Sequence, residues 1–207
     1  MITAQFALVW VGWVLAGASP GPATMGIAGT AMTAGRRSAL CFAFGILAGG
    51  ASWGIAAALG LSAIMLANAW IFELIRYAGA LYLGWLAAKA LRRAVSPRGA
   101  ILGTPFSGSG RTLFLKGWAI HITNPKAILS WGAIYAIVAP PDATLTMLLG
   151  YFGLLYTGGM MVFIGYAVLF SSDRVVRAYA AAQRWFDLAF AGFFGFAAFK
   201  ILTARLQ

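Results

Sequence analysis

Acidic side chains are almost missing from this chain. Glu73, Asp142, Asp173 and Asp187 are the only four among 207 residues, beside a single Cys41 and a single His121. One cysteine excludes an intramolecular disulfide and a paired-thiol electron relay, so Cys41 reads as a small packing residue. The same scarcity leaves no cluster of histidines, cysteines and carboxylates at metal-ligand spacing, and no metal or cofactor is expected. Charge of either sign is sparse. Charged residues make up 9% of the chain, against about a quarter in an average soluble domain.

Apolar surface is what the chain has in excess, with 62% hydrophobic residues and a mean hydropathy of +0.86. Such a composition predicts an integral membrane protein. Its length suffices for six spans of about 20 residues each, all α-helical, with no sizeable soluble domain left over. Residues 1–207 therefore read as one transmembrane domain. The net charge of +11 would suggest a nucleic-acid partner in a soluble protein. Here no nucleic acid is expected, and the positives mark the cytoplasmic face and anionic membrane lipid. Phe6–Leu15 followed by Ala16-Gly17-Ala18 has the outline of a signal peptide, but Met1–Gln5 carries no basic residue, and the segment reads as uncleaved.

The first apolar run, about Ile2 to Thr33, is interrupted by Ser19-Pro20-Gly21-Pro22, where prolines remove backbone donors and glycine loosens the helix. A second interruption, Thr123-Asn124-Pro125-Lys126, falls in the fourth run, Thr112 to Val138, 104 residues after the first. Non-helical backbone at membrane depth survives only where protein buries it or where it lines a cavity, and matched breaks in two halves point to a transporter substrate site. The second run (Leu40 to Leu66) holds the GxxxG pairs Gly45/Gly49 and Gly50/Gly54, which suit packing within the bundle or a homo-oligomer face. A link at Asn68 leads to the third run (Ala69 to Leu91). A flexible linker covers about Arg92 to Arg111. The fifth run (Leu145 to Phe170) and the sixth (Trp185 to Thr203) follow, the fourth ending at Pro140-Pro141-Asp142.

Gly45, Gly54 and Gly60 map onto Gly150, Gly159 and Gly165 at one constant offset, and Gly84, Lys89 and Leu91 onto Gly195, Lys200 and Leu202 at another. The chain therefore reads as a 3+3 repeat, residues 1–103 and 104–207, inverted because each half has an odd number of spans. Most basic residues cluster in the links after the first, third and fifth runs, which places both termini outside. Lys200 and Arg205 fall on the other side, where helix-end side chains snorkel to the interface.

Several of these stretches together resemble the LysE/RhtB family of amino-acid exporters. They are Ser19-Pro20-Gly21-Pro22, Gly35-Arg36-Arg37 with Gly45 and Gly49, Arg76 to Trp85, and Phe114 to Ala127 with Gly117 and Asn124-Pro125-Lys126. The resemblance covers nearly the whole chain. It implies a six-helix exporter in a bacterial inner membrane, moving amino acids or related metabolites on the proton gradient. Ala23 stands where family members commonly carry a polar or acidic residue, and Ile128-Leu129-Ser130-Trp131-Gly132 replaces a phenylalanine-rich continuation.

The residues themselves set the candidate site. Each break frees amides at the start of the following helix, from Ala23, Thr24 and Met25 in one case and from Lys126, Ala127 and Ile128 in the other. Freed amides and the helix dipole favour an anion such as an amino-acid carboxylate. Lys126 is a basic residue well inside a span, so it requires a partner, which is either a substrate carboxylate or carbonyls freed by the break. His121, three residues before Asn124, is either a titrating group or a hydrogen-bonded packing residue. Asp187 is a proton carrier or a partner for Arg184, and Glu73 pairs with Arg76. No carboxylate sits at the centre of a span, so proton coupling has no evident carrier. The tryptophans read as interface anchors and packing, with Trp13 and Trp131, nearest the breaks, as candidates for substrate contact. An intramembrane enzyme would have only Ser19, Thr123 and His121 to work with. A non-transporting assembly factor would leave the paired breaks without a use.

Overall fold

The computed structural model describes residues 4–67, 69–96, 105–140 and 143–203. Asn68, the middle of the linker, Pro141-Asp142 and Arg205 lie outside the described residues, as do the side chains of Glu73, Arg76 and Lys200. Among the described residues the chain is wholly helical. The order is α1 (Ala4–Ala18), α2 (Pro22–Ala67), α3 (Ala69–Val95), α4 (Gly110–Ile122), α5 (Pro125–Val138), α6 (Leu145–Leu169) and α7 (Asp173–Thr203).

Local chemistry sets these boundaries. Pro22 opens α2 and Pro125 opens α5, where a missing N–H costs nothing. Ser109 caps α4, and Thr144 caps α6 through its hydroxyl and the Met147 amide. The first and second apolar runs join in one element, α2, across a kink at Gly35, whose φ of 78° is a conformation glycine adopts without strain. Two expected boundaries move. α3 runs on to Val95 and takes Arg92 and Arg93 into its last turn. α7 begins at Asp173 rather than near Trp185, so Arg174, Arg177 and Arg184 lie on helix rather than in a link. They stay exposed while Val175, Val176 and Tyr179 on the same turns are partly covered.

The centre of the bundle is α2. Its second half lies so close to α4 that a Cβ on Gly45 would overlap the Phe114 carbonyl, and one on Gly117 would overlap the Phe42 carbonyl. Gly54 abuts Phe152 and Trp131. These GxxxG positions are thus occupied within the chain. α3 packs along α7 through Leu83, Leu86, Ala90, Phe190 and Phe194. Outward faces are apolar: Leu81 is 70% exposed, Trp185 72% and Phe199 62%. That is the reverse of a water-soluble surface. Pro22–Gly60 and Leu145–Leu169 are long and apolar enough to cross a bilayer.

Candidate functional site

The chain leaves helix twice inside the bundle, at Ser19–Gly21 between α1 and α2 and at Thr123–Asn124 between α4 and α5. Lys126, second residue of α5, ties the two places together. Its Nζ donates to the Ser19 carbonyl at 2.9 Å and to Ser19 Oγ at 2.5 Å. Ser19 is 2% exposed, and its hydroxyl donates to the Ala16 carbonyl at 2.8 Å. Nothing in this arrangement pairs Ser19 with His121 as a nucleophile and base. Among the described residues Lys126 has no carboxylate partner, the one ion pair there being Arg93 with Asp187.

The amides at the two helix starts are treated differently. In α5, the Lys126 N–H donates to Asn124 Oδ1 at 3.0 Å, and the Ala127 and Ile128 N–H groups donate to the Asn124 carbonyl. In α2, Met25 donates to the Gly21 carbonyl at 2.9 Å. The Ala23 and Thr24 amides lie too early in the helix for an intrahelical acceptor, and among the described residues no side chain caps them. Four of the six amides expected to be free are therefore occupied, and the open pair belongs to the first break. Thr24 braces that break with its side chain, accepting from the Gly21 N–H at 3.0 Å and donating toward the Ser19 and Gly21 carbonyls.

A cavity opens beside Lys126. The space available to water centres is about 70 Å³, room for several waters at roughly 10–15 Å³ each. Its polar lining comes from Gly21, Thr24, His121, Asn124, Lys126 and Ser130, and its apolar wall from Trp13, Trp131, Leu155, Val162 and Phe163. Trp13 and Trp131 stack obliquely at 4.7 Å, and Trp13 Nε1 is held by the Leu155 carbonyl at 2.9 Å. His121 is 6% exposed, lies edge-on to Phe163 at 5.7 Å, and its Nδ1 has no hydrogen-bond partner.

The structure thus brings Ser19, Gly21, Ala23, Thr24, His121, Asn124 and Lys126 to one place. Pro20, Pro22, Thr123 and Pro125 shape the breaks without lining the cavity. Thr123 is exposed and its hydroxyl returns to the Ala119 carbonyl at 2.9 Å. Asp187 lies elsewhere, between α7 and α3, 1% exposed, and its partner is Arg93 at 2.9 Å rather than Arg184. Sequence reasoning missed Gly50, Ser130, Tyr156 and Phe163. Gly50 was marked only by its packing motif, and Tyr156 and Phe163 reach the cavity only because α6 packs along α2. No group of residues able to hold a metal ion occurs among the described residues.

The family model for LysE type translocators matches residues 14–205. A threonine efflux protein of Escherichia coli (strain K12) is 33% identical over 190 residues, 89% of this chain and 91% of the relative. A leucine efflux protein of Enterobacter sp. (strain 638) is 29% identical over 61% of this chain and 60% of its own length. The chemotactic transduction protein ChpE of Pseudomonas aeruginosa is 35% identical over 52% of each chain. No solved structure matches the chain.

Proposed function

The chain belongs to the LysE type translocator family, and from that membership we propose that it is a secondary exporter of a small amino acid, threonine first among candidates, across a bacterial cytoplasmic membrane. The observation that carries the reading is Lys126, an ammonium inside the bundle held by Ser19 across two helix breaks and facing a cavity without a carboxylate partner among the described residues. A substrate carboxylate displaces Ser19 from Lys126 and takes the Ala23 and Thr24 amides as further donors. Trp13, Trp131 and Val162 receive its side chain.

In this reading the bundle crosses the membrane six times. α1 with the start of α2, the rest of α2, and α3 form one half, and α4 with α5, α6, and α7 form the other, inverted, with both termini outside and export driven by protons. Equal spacing supports it, since α1 ends at Ala18 and α4 at Ile122, and a proline opens the next helix each time. The near full-length match to a threonine efflux protein outweighs the half-length match to a chemotactic transduction protein.

The test is flux of labelled L-threonine in proteoliposomes of purified protein. Saturable, ΔpH-stimulated movement that competing small amino acids reduce is the expected result. Absence of threonine or leucine movement in folded, correctly inserted protein rejects the proposal.

A further inference from the structure

An exchanger that moves a zwitterion one way and a proton the other needs a group that takes either one but not both. Among the described residues no carboxylate lines the cavity, and Asp187 is committed to Arg93 away from it. The titratable side chains lining it are Lys126, His121 and Tyr156. Lys126 is engaged by Ser19 and is the group suited to the carboxylate end of the substrate. The Tyr156 hydroxyl donates to the Leu47 carbonyl at 3.2 Å. His121 is left.

Its setting is that of a binding group rather than a packing one. A packing histidine at this depth has both nitrogens occupied, because a buried polar atom without a partner is destabilising. Here Nδ1 is buried and unpartnered. On the other side of the ring Nε2 faces Gly50, where an added Cβ would stand 3.4 Å from it. The faces packed around the ring carry little charge. Gly49 and Gly50 of α2 lie against the residue and Phe163 of α6 meets its ring edge-on; Leu47, Tyr156 and Trp13 line the same cavity, where Lys126 of α5 is the one ionised group among the described residues.

We infer that His121 is the group for which the substrate's α-ammonium and the transported proton compete. This rests on the export reading above and supplies the coupling group that reading lacks. A neutral imidazole has one lone pair and accepts one hydrogen bond from an ammonium. An imidazolium has none, donates from both nitrogens and repels a second cation. The zwitterion is then held at both ends, its carboxylate by Lys126 and the Ala23 and Thr24 amides, its ammonium by His121. A proton arriving at His121 from outside expels the ammonium, and a new ammonium arriving from inside binds once that proton has left to the cytoplasm. One proton enters for each amino acid that leaves, and no other bond is made or broken.

The experiment uses the full chain in proteoliposomes with labelled L-threonine, comparing wild type, His121→Gln and His121→Phe. Accumulation driven by ΔpH is read beside threonine–threonine exchange without a gradient. Glutamine keeps an acceptor and does not titrate, so His121→Gln retains exchange and loses ΔpH-driven accumulation by about tenfold or more, within the usual range of coupling between sites. His121→Phe loses both. Wild-type exchange weakens as pH is lowered through the acidic range, because protons and the substrate ammonium compete for one imidazole, and this measurement does not depend on how the variants fold. Persistence of ΔpH-driven accumulation in His121→Gln, or a flat wild-type pH profile, overturns the inference. Absence of any threonine movement in wild type rejects the export reading instead.

Discussion

At the first break the chain passes into α2 from Gly21 through Pro22, and at the second it passes into α5 from Asn124 through Pro125. Each helix start has proline at the first helical position. Their caps differ. Asn124 has a side chain that takes the Lys126 amide, and its carbonyl takes the next two. Gly21 has no side chain, and the Ala23 and Thr24 amides are left open. The second break is a finished helix start that projects a cation from its second residue. The first is an unfinished one that keeps its donors for something else. In the proposed site the two interruptions supply complementary donors for one anion, and Lys126 crosses from one to the other to rest on Ser19.

The largest expected effect comes from removing the part that crosses. Lys126→Met abolishes threonine flux and leaves a folded, membrane-inserted protein with a melting temperature near wild type. A stable Lys126→Met protein that transports at the wild-type rate shows that Lys126 does not hold the substrate. A variant that loses its fold first shows that the lysine serves only to tie the two breaks together.

The next substitution makes the first break resemble the second. Gly21 has ordinary backbone geometry, since positive φ among the described residues is confined to Gly35 and Gly108. A Cβ at 21 would meet Lys126 only at van der Waals distance, 3.6 Å from Cδ. Gly21→Asn therefore fits, and its Oδ1 caps the Ala23 or Thr24 amide. Stability rises by a few tenths of a kcal/mol, as expected for Asn over Gly at a cap, while substrate affinity falls severalfold because its carboxylate has lost a donor. Unchanged affinity in a thermally stabilised variant removes the amides of α2 from the site.

The smallest effect on transport belongs to the reverse change. Asn124→Ala uncaps α5 and lowers stability by about 1 kcal/mol, seen as a lower melting temperature. Flux at temperatures where the protein stays folded changes by about twofold at most, since only a structural hydrogen bond is lost. A complete loss of flux in stable Asn124→Ala would place that side chain on the substrate.

Much of this was legible in the chain itself. The breaks are written in Ser19-Pro20-Gly21-Pro22 and Asn124-Pro125, because proline and glycine act on the backbone where they stand. The inward use of Gly45 and Gly54 was one of two open readings, and the close approach of α4, Phe152 and Trp131 decided it. The start of α7 was misread because Arg174, Arg177 and Arg184 resemble a polar link. Helix continues there because those side chains reach solvent while Val175, Val176 and Tyr179 are covered on the other face. Asp187 has Arg184 close in sequence, but the side chain that reaches it is Arg93, carried there by the packing of α3 on α7.

Composition and local backbone chemistry by themselves determined that this is a helical, apolar chain with two proline-marked interruptions, because both properties depend only on residues and their immediate neighbours. The tertiary structure alone decided that Lys126 rests on Ser19 and that His121 is buried beside the cavity with an unpartnered nitrogen. Each of those depends on which groups a residue far along the chain occupies or leaves empty, and hydrogen bonds between distant helices are fixed only when the helices pack.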